Sequence, residues 1–284
     1  MTDYSFEATA KSFDAPAGKI HYNEAGSGPA LLLLHGSGPG VTGWENFSDT
    51  LASFVGEYRC IVPDFPGYGA SDSVDGNPIE VCVQSVIALM DGLGIEKAHI
   101  IGNSLGGIVA GLFAAYNPDK VDKFVSIGGL GINIFSSFPA EGLVRLSQFA
   151  ENPTREHIVA WLNSMVYDRA IVTDELVDRR MRQATESKTL ETTRVLYSQA
   201  SLDGMQQMFS GPDATQRLAH LSSITAPTLL TWGREDRVTP IDMALLPMKL
   251  IPNCELHVFP KCGHWAMIER KHEFESVVRA FLAR

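Results

Sequence analysis

The chain has 284 residues, long enough for one large α/β domain with an inserted subdomain. Its 45% hydrophobic and 20% charged residues are ordinary for a soluble globular protein. A formal charge of −10 disfavours nucleic acid and anionic membrane surfaces as partners, but says little about a small anion that senses one pocket's local field.

The first ten residues, MTDYSFEATA, carry no basic segment followed by an apolar one, so no secretory signal is expected. The first long apolar run, 29–35 (PALLLLH), reads as a strand, and 58–63 (YRCIVP) as a second. A helical pattern follows over 78–93, then a strand over 98–103 (AHIIGN), a helix over 105–116 and a strand over 123–127 (KFVSI). Between about residues 132 and 222 strand-like runs vanish and helical periodicity dominates, as over 156–165 and 174–186. This segment is read as a helical lid inserted between two parts of a core, 1–131 and 223–284. The second part holds a strand over 227–232 (PTLLTW), a helix over 241–251, a strand over 255–259 (ELHVF) and a helix over 272–282. Apolar strands alternating with helices suit a mostly parallel central sheet covered on both faces. No apolar run combines the length and the freedom from glycine that a membrane span needs. Cys60, Cys82, Cys254 and Cys262 show neither CxxC pairing nor disulfide spacing, which points to a reducing cytoplasm.

Gly102-Asn103-Ser104-Leu105-Gly106 fits G-x-S-x-G and lies between a strand and a helix. A serine nucleophile of this kind needs that context, a strained turn that small flanking residues let the chain pass. An incidental serine in a glycine-rich turn is the plain alternative. The nucleophile requires an imidazole, and the imidazole a carboxylate that holds its tautomer. With the chain order serine, acid, histidine, His264 has the right address after the last strand. His21, His99, His157, His220 and His272 are expected to be structural, and His35 to be a packing element. The acid belongs on the turn after the preceding strand, in Trp232-Gly233-Arg234-Glu235-Asp236-Arg237, where Asp236 is preferred and Glu235 competes with it. His35-Gly36-Ser37-Gly38-Pro39-Gly40 follows the strand that delivers one oxyanion donor. The N–H groups of Ser37 and Leu105 are therefore assigned to an oxyanion hole, the alternative being a plain glycine turn. Together these motifs predict an α/β-hydrolase fold with Ser104, Asp236 and His264 as its catalytic triad.

Arg180 stands out on the helix that starts near Asp174, with Thr173 as N-cap. Leu176, Val177, Met181 and Ala184 mark the apolar stripe, position 180 falls within it, and Arg179 and Arg182 fall on the polar side. A guanidinium there needs an anion, since burying an unpaired charge is costly. A core Asp or Glu, a snorkelling stem and a ligand carboxylate all answer that need.

The segments LLLLHGSGPGVTGWENF (31–47), GNSLGG (102–107), WGREDRVTP (232–240) and HVFPKCGHWAMIE (257–269) resemble the meta-cleavage product hydrolases. These enzymes split carbon–carbon bonds in ring-fission products of aromatic catabolism. The likeness runs over nearly the whole chain, with its chief departures in the lid and in VPDFPGYGASD (62–72). It implies that Asn46, Asn103, Arg180 and Trp265 meet the polar end of an anionic dienoate substrate, beside Gly36 and Gly38, where the backbone can approach it closely. The implied reaction cleaves the C5–C6 bond of a 6-substituted 2-hydroxy-6-oxo-hexa-2,4-dienoate without metal or organic cofactor. A homo-oligomer, dimer or larger, is also implied. A carboxylesterase or cofactor-free peroxidase would keep the same triad, and a ligand receptor would keep the fold without turnover. Epoxide hydrolases and dehalogenases are disfavoured because they need a carboxylate where Ser104 stands.

Overall fold

A computed structural model describes residues 3–211 and 213–284. After a short helix, α1 (Phe6–Thr9), the chain forms an antiparallel hairpin of β1 (Ala10–Ala15) and β2 (Gly18–Ala25). There follow β3 (Ala30–Leu34), α2 (Gly43–Phe54), β4 (Arg59–Pro63), α3 (Pro78–Gly92), β5 (Ala98–Asn103), α4 (Leu105–Tyr116) and β6 (Val121–Ile127). Helices α5 (Glu141–Glu151), α6 (Arg155–Met165), α7 (Asp174–Ala184), α8 (Ser187–Tyr197) and α9 (Gln199–Ser210) lie between β6 and β7 (Thr228–Gly233). The chain then passes through α10 (Leu245–Leu250), β8 (Cys254–Phe259), α11 (Ala266–Glu269) and α12 (Lys271–Leu282).

The eight strands make one sheet in the order β1-β2-β4-β3-β5-β6-β7-β8. β2 pairs antiparallel with both β1 and β4, while every neighbouring pair from β4 to β8 is parallel. This is the α/β-hydrolase fold. The hairpin and α2 were not expected from the sequence, and the helix expected over 241–251 is a 3-10 turn, Ile241–Ala244, running into α10.

β3 shows why the parallel strands read as unbroken apolar runs. Leu32 and Leu34 pack on one face with Val86 and Met90 of α3 and Phe113 of α4. Leu31 and Leu33 pack on the other with Phe47 and Phe54 of α2 and Phe274 of α12. Helices on both faces leave no room for alternation.

The loop after β4 ties the sheet to the turn after β3. Asp64, buried, accepts the Gly43 N–H at 2.8 Å through Oδ1. Its Oδ2 accepts the Ala70 N–H at 3.0 Å and takes a 2.8 Å hydrogen bond from His21 Nδ1. The next residue, Phe65, donates its N–H to His35 Nε2 at 2.9 Å, and His35 Nδ1 donates to the Gly36 carbonyl at 2.5 Å. One nitrogen accepting and the other donating defines a neutral imidazole. Burial pushes its pKa down accordingly.

Burial opposes ionisation of Asp64, but the His21 ring and the backbone donors outweigh it and hold its carboxyl below the usual range. We expect Asp64→Ala, which strips the acceptor from two buried donors and one part-buried one, to cost about 3 kcal/mol or more. The measurement is the urea midpoint at constant m, and an unshifted midpoint would overturn this account. Because the folded pKa lies below the unfolded one, the stabilisation is present above about pH 4 and is lost as pH falls through the folded value.

Candidate active site

Ser104 joins β5 to α4 with φ 52° and ψ −114°, a left-handed conformation that a residue with a side chain rarely adopts. Its N–H donates to the Ile127 carbonyl at 2.8 Å, and its own carbonyl accepts from Gly107 at 2.8 Å and Ile108 at 3.1 Å. The flanking glycines answer a need for close approach. A Cβ at position 106 would stand 2.0 Å from the Leu34 carbonyl oxygen, and one at position 102 would stand 2.3 Å from the Gly106 oxygen.

His264 follows β8, and its backbone N–H is anchored to the Met165 carbonyl of α6 at 2.7 Å. Its Nδ1 lies 2.7 Å from Asp236 Oδ2, with both side chains 1% exposed. Asp236, after β7, is oriented by the N–H groups of Val238 at 2.8 Å and Thr239 at 3.0 Å on its other oxygen. Glu235 is engaged elsewhere: Oε2 accepts the Cys262 N–H at 3.1 Å and Oε1 pairs with Arg234 at 2.7 Å. Thr239, which sequence reasoning missed, places its hydroxyl 2.9 Å from both Asp236 Oδ2 and the Gly128 carbonyl. Its sequence signal is the spacing from Asp236, since an aspartate often accepts from amides two and three residues on.

Ser104 and His264 open onto a cavity of about 400 Å³, whose walls include Ser37 and Leu105. The backbone N–H groups of Ser37 and Leu105 have no hydrogen-bond partner among the described residues. For Leu105 this follows from its place in the first turn of α4, where amides lack an intrahelical acceptor. The Ser37 hydroxyl makes a short hydrogen bond to the Tyr197 hydroxyl of α8, a second residue the sequence did not single out.

Gly36, Gly38, Asn46, Asn103, Arg180 and Trp265 do not line that cavity. They pack instead around the loop 35–40. Asn46 Oδ1 accepts the Gly36 N–H at 2.8 Å, and Asn103 Nδ2 donates to the Ile127 carbonyl at 3.2 Å. A Cβ at position 36 would come within 2.9 Å of Asn103 Oδ1, and one at 38 within 2.7 Å of the Trp161 ring. Arg180 is 1% exposed, and its Nη1 donates to the Gly40 carbonyl at 2.8 Å. Its guanidinium carbon lies 5.5 Å from the centre of the Trp265 ring, and the Trp161 ring meets Trp265 edge-on. Glu45 comes only to 3.9 Å from Arg180 and pairs at 2.9 Å with Arg179. Burial pushes the Arg180 pKa down to about 10, which leaves it charged at neutral pH.

Three donors around this loop, Asn46 Nδ2, Arg180 Nε and Trp161 Nε1, are buried without an acceptor among the described residues. Buried donors almost always find a partner, so a group of three marks a place shaped for an acceptor. Trp161 had no sequence signal beyond its place on an amphipathic helix.

Residues 29–271 match the α/β-hydrolase fold family. A 2-hydroxy-6-oxo-6-phenylhexa-2,4-dienoate hydrolase of Burkholderia cepacia is 38% identical over 270 residues, 93% of this chain and 91% of the relative. A 2-hydroxy-6-oxononadienedioate/2-hydroxy-6-oxononatrienedioate hydrolase of Burkholderia vietnamiensis is 40% identical over 272 residues, 94% of this chain and 91% of the relative. The chain belongs to the meta-cleavage product hydrolases. A solved structure from this family, a serine-to-alanine variant of CumD from Pseudomonas fluorescens IP01 complexed with acetates, matches with a TM-score of 0.86. It is 31% identical, and the match covers 97% of this chain and 98% of that one. Among the described residues no helix is long and apolar enough to cross a membrane.

Three substitutions test the constellation. Ser104→Ala should lower turnover by about 10⁴-fold or more while ligand binding survives, because the cavity and the donor cluster are untouched. Near-normal steady-state rates would remove Ser104 from the chemistry. Asp236→Asn should cripple turnover by about 10⁴-fold, and Glu235→Gln by less than about tenfold, because of these two acids it is Asp236 that is hydrogen-bonded to the ring. Equal effects, or the reverse order, would reassign the acid.

Proposed function

We propose that the protein hydrolyses the C5–C6 bond of a 6-substituted 2-hydroxy-6-oxo-hexa-2,4-dienoate, releasing 2-hydroxypenta-2,4-dienoate and a carboxylic acid. One observation carries this reading: a charged, buried Arg180, whose Nε has no hydrogen-bond acceptor among the described residues, lies beside the loop that presents Ser37 to the serine cavity. An esterase needs the serine, histidine and acid but has no use for that cation. A substrate with a carboxylate at one end and a ketone at the other uses both.

The difficulty of the reaction is its leaving group, a carbanion at C5. Moving the C2 hydroxyl proton to C5 gives the 2-keto tautomer, with an alkene between C3 and C4. In this form electrons released at C5 can flow through the alkene into the C2 carbonyl. Arg180, Asn46 and Trp161 hold the C1 carboxylate and the C2 oxygen, where the charge arrives. Asn103, Trp265, Gly36 and Gly38 shape that end of the site. Ser104 Oγ, losing its proton to His264, attacks the C6 ketone, and the N–H groups of Ser37 and Leu105 bind the oxyanion. Collapse breaks C5–C6, leaves the acyl group on Ser104 and forms the dienolate, which His264 protonates. Water, activated by His264, then releases the acid. In this reading the segment 132–222 acts as a lid between core segments 1–131 and 223–284, supported by the cavity walls it supplies, among them Leu146, Trp161, Tyr197 and Phe209. We further propose a cytoplasmic homo-oligomer, a dimer or larger, a placement that suits four free thiols.

Arg180→Met keeps an apolar stem and removes the charge. A simple aryl ester has a good leaving group and no carboxylate, so its hydrolysis should stay within about tenfold of the parent, about 1.4 kcal/mol. The dienoate should lose about a hundredfold or more in kcat/KM. A parallel decline of both substrates in a folded variant would make Arg180 structural and remove the main support for a carbon–carbon hydrolase.

A further inference from the structure

The two relatives above differ in what their names place on C6, and the chain is about equally similar to both. One is named for a phenyl group, and the other for a dienedioate, whose chain ends in a second carboxylate. The cavity beside Ser104 carries the information that similarity does not. Its distal walls are hydrocarbon and thioether, with Ile132, Leu143, Leu146, Met205, Phe209 and Met243. Among the described residues no Lys, Arg, Asp or Glu side chain lines it.

The neutral polar groups on those walls offer an anion little. The Asn133 amide donates to the Ser136 hydroxyl at 2.7 Å and to the Ser137 carbonyl at 3.2 Å. Gln206 and Ser210 are exposed to solvent on α9. A fixed charge behind this wall has the wrong sign. Asp242, itself 1% exposed, accepts the N–H groups of Ile134, Phe135 and Ser136 at 2.8, 3.0 and 3.1 Å, all through Oδ2. It thereby consumes the donors of the segment that contributes Asn133 and Ser136 to the cavity. These hydrogen bonds outweigh burial and keep its carboxyl below the usual range. A second carboxylate entering this space would lose part of its hydration, find no cation among the described lining residues and face a buried anion.

We infer that the C6 substituent taken by this cavity is an uncharged hydrocarbon group, and that substrates ending in a second carboxylate are rejected at this wall. The inference rests on the carbon–carbon reading above. Its chemistry is that of the acyl half of the substrate, so it extends to any acyl group delivered to Ser104.

The test uses two substrate pairs on the unmodified protein. The first is 2-hydroxy-6-oxo-6-phenylhexa-2,4-dienoate against 2-hydroxy-6-oxonona-2,4-dienedioate. The second is p-nitrophenyl pentanoate against the p-nitrophenyl monoester of glutarate, which has a carboxylate in place of the terminal methyl of the five-carbon acyl chain. We expect kcat/KM for the neutral member to exceed that of the carboxylate member by about a hundredfold or more in each pair. If dienoates are cleaved and the dioate comes within tenfold of the phenyl substrate, the inference is overturned while the reaction stands. If neither dienoate is cleaved but the esters are, the carbon–carbon reading fails, and the ester pair alone decides. A ratio of a hundred there keeps the neutral acyl pocket, and a ratio under ten removes it.

Discussion

The start of α4 touches the end of β3 with no space for a side chain between them, and the site is arranged around that contact. With Gly106 against the Leu34 carbonyl, the helix begins as close to the sheet as backbone packing permits. Three features follow from this approach. Ser104 is forced into a left-handed turn, the first-turn Leu105 N–H, free as in any helix start, is brought to the sheet's end, and the loop leaving β3 must pass beside the serine. A conformation of this kind costs about 1–3 kcal/mol and persists only where its surroundings over-determine it. Here the sheet does so. The register aligns Leu34 with Gly102 and Asn103 with Ile127, and the Ile127 carbonyl takes the Ser104 N–H at 2.8 Å.

The loop after β3 divides the surroundings of Ser104 into two unlike media. Toward the cavity its Ser37 meets a largely apolar wall and the Tyr197 hydroxyl. On its other contacts it meets Asn46 and Arg180, with Trp161 reaching both sides, and the donors of these three lack acceptors among the described residues. Keeping a guanidinium at that depth is expensive, and a single carbonyl hydrogen bond with a distant Glu45 compensates poorly. A neutral His35, bridging Gly36 and Phe65, keeps the loop fixed without adding a second positive charge beside Arg180. In the proposed reading such an arrangement trades stability for readiness to receive an anion.

What could be read from the sequence follows from how local each signal is. The parallel strands were legible because burial on both faces leaves an unbroken apolar run, as in 31–34. Ser104, Asp236 and His264 were legible as candidates because strand ends place them and glycine or turn residues announce the strand ends. The β1–β2 hairpin was not, because β1 is largely exposed and carries no apolar alternation. α2 went unread even though Thr42 caps it by accepting the Glu45 N–H, since its apolar face is broken by Asn46 and Thr50. Arg180 fell on the buried side of α7 together with Val177 and Ala184, while Leu176 and Met181 are only partly buried. Trp161, Asp64 and Asp242 act through partners far away in the chain, and nothing in their neighbours' identity signals those contacts.

The inserted helices are not joined to the core uniformly, and the asymmetry constrains how the cavity can open. The end of α6 is stitched to the loops that carry His264 and Asp236: Met165 accepts the His264 N–H, and Arg237, next to Asp236, donates to the carbonyls of Asn163 and Val166. Glu269 extends the seam by accepting the N–H groups of Tyr167, Asp168 and Gly263. Pulling α6 away would therefore drag the histidine and the acid out of register. Contacts of α8 are of another kind, with Lys188 and Thr192 reaching the carbonyls of Ser71 and Gly67 in the loop after β4 and Tyr197 meeting the Ser37 hydroxyl in the loop after β3. Side-chain links from a helix surface to a loop can break without moving any group that bonds to His264 or Asp236. An opening that preserves the constellation has to spare α6 and act through α8 and α9, the helices that carry Tyr197, Met205 and Phe209 on the cavity wall.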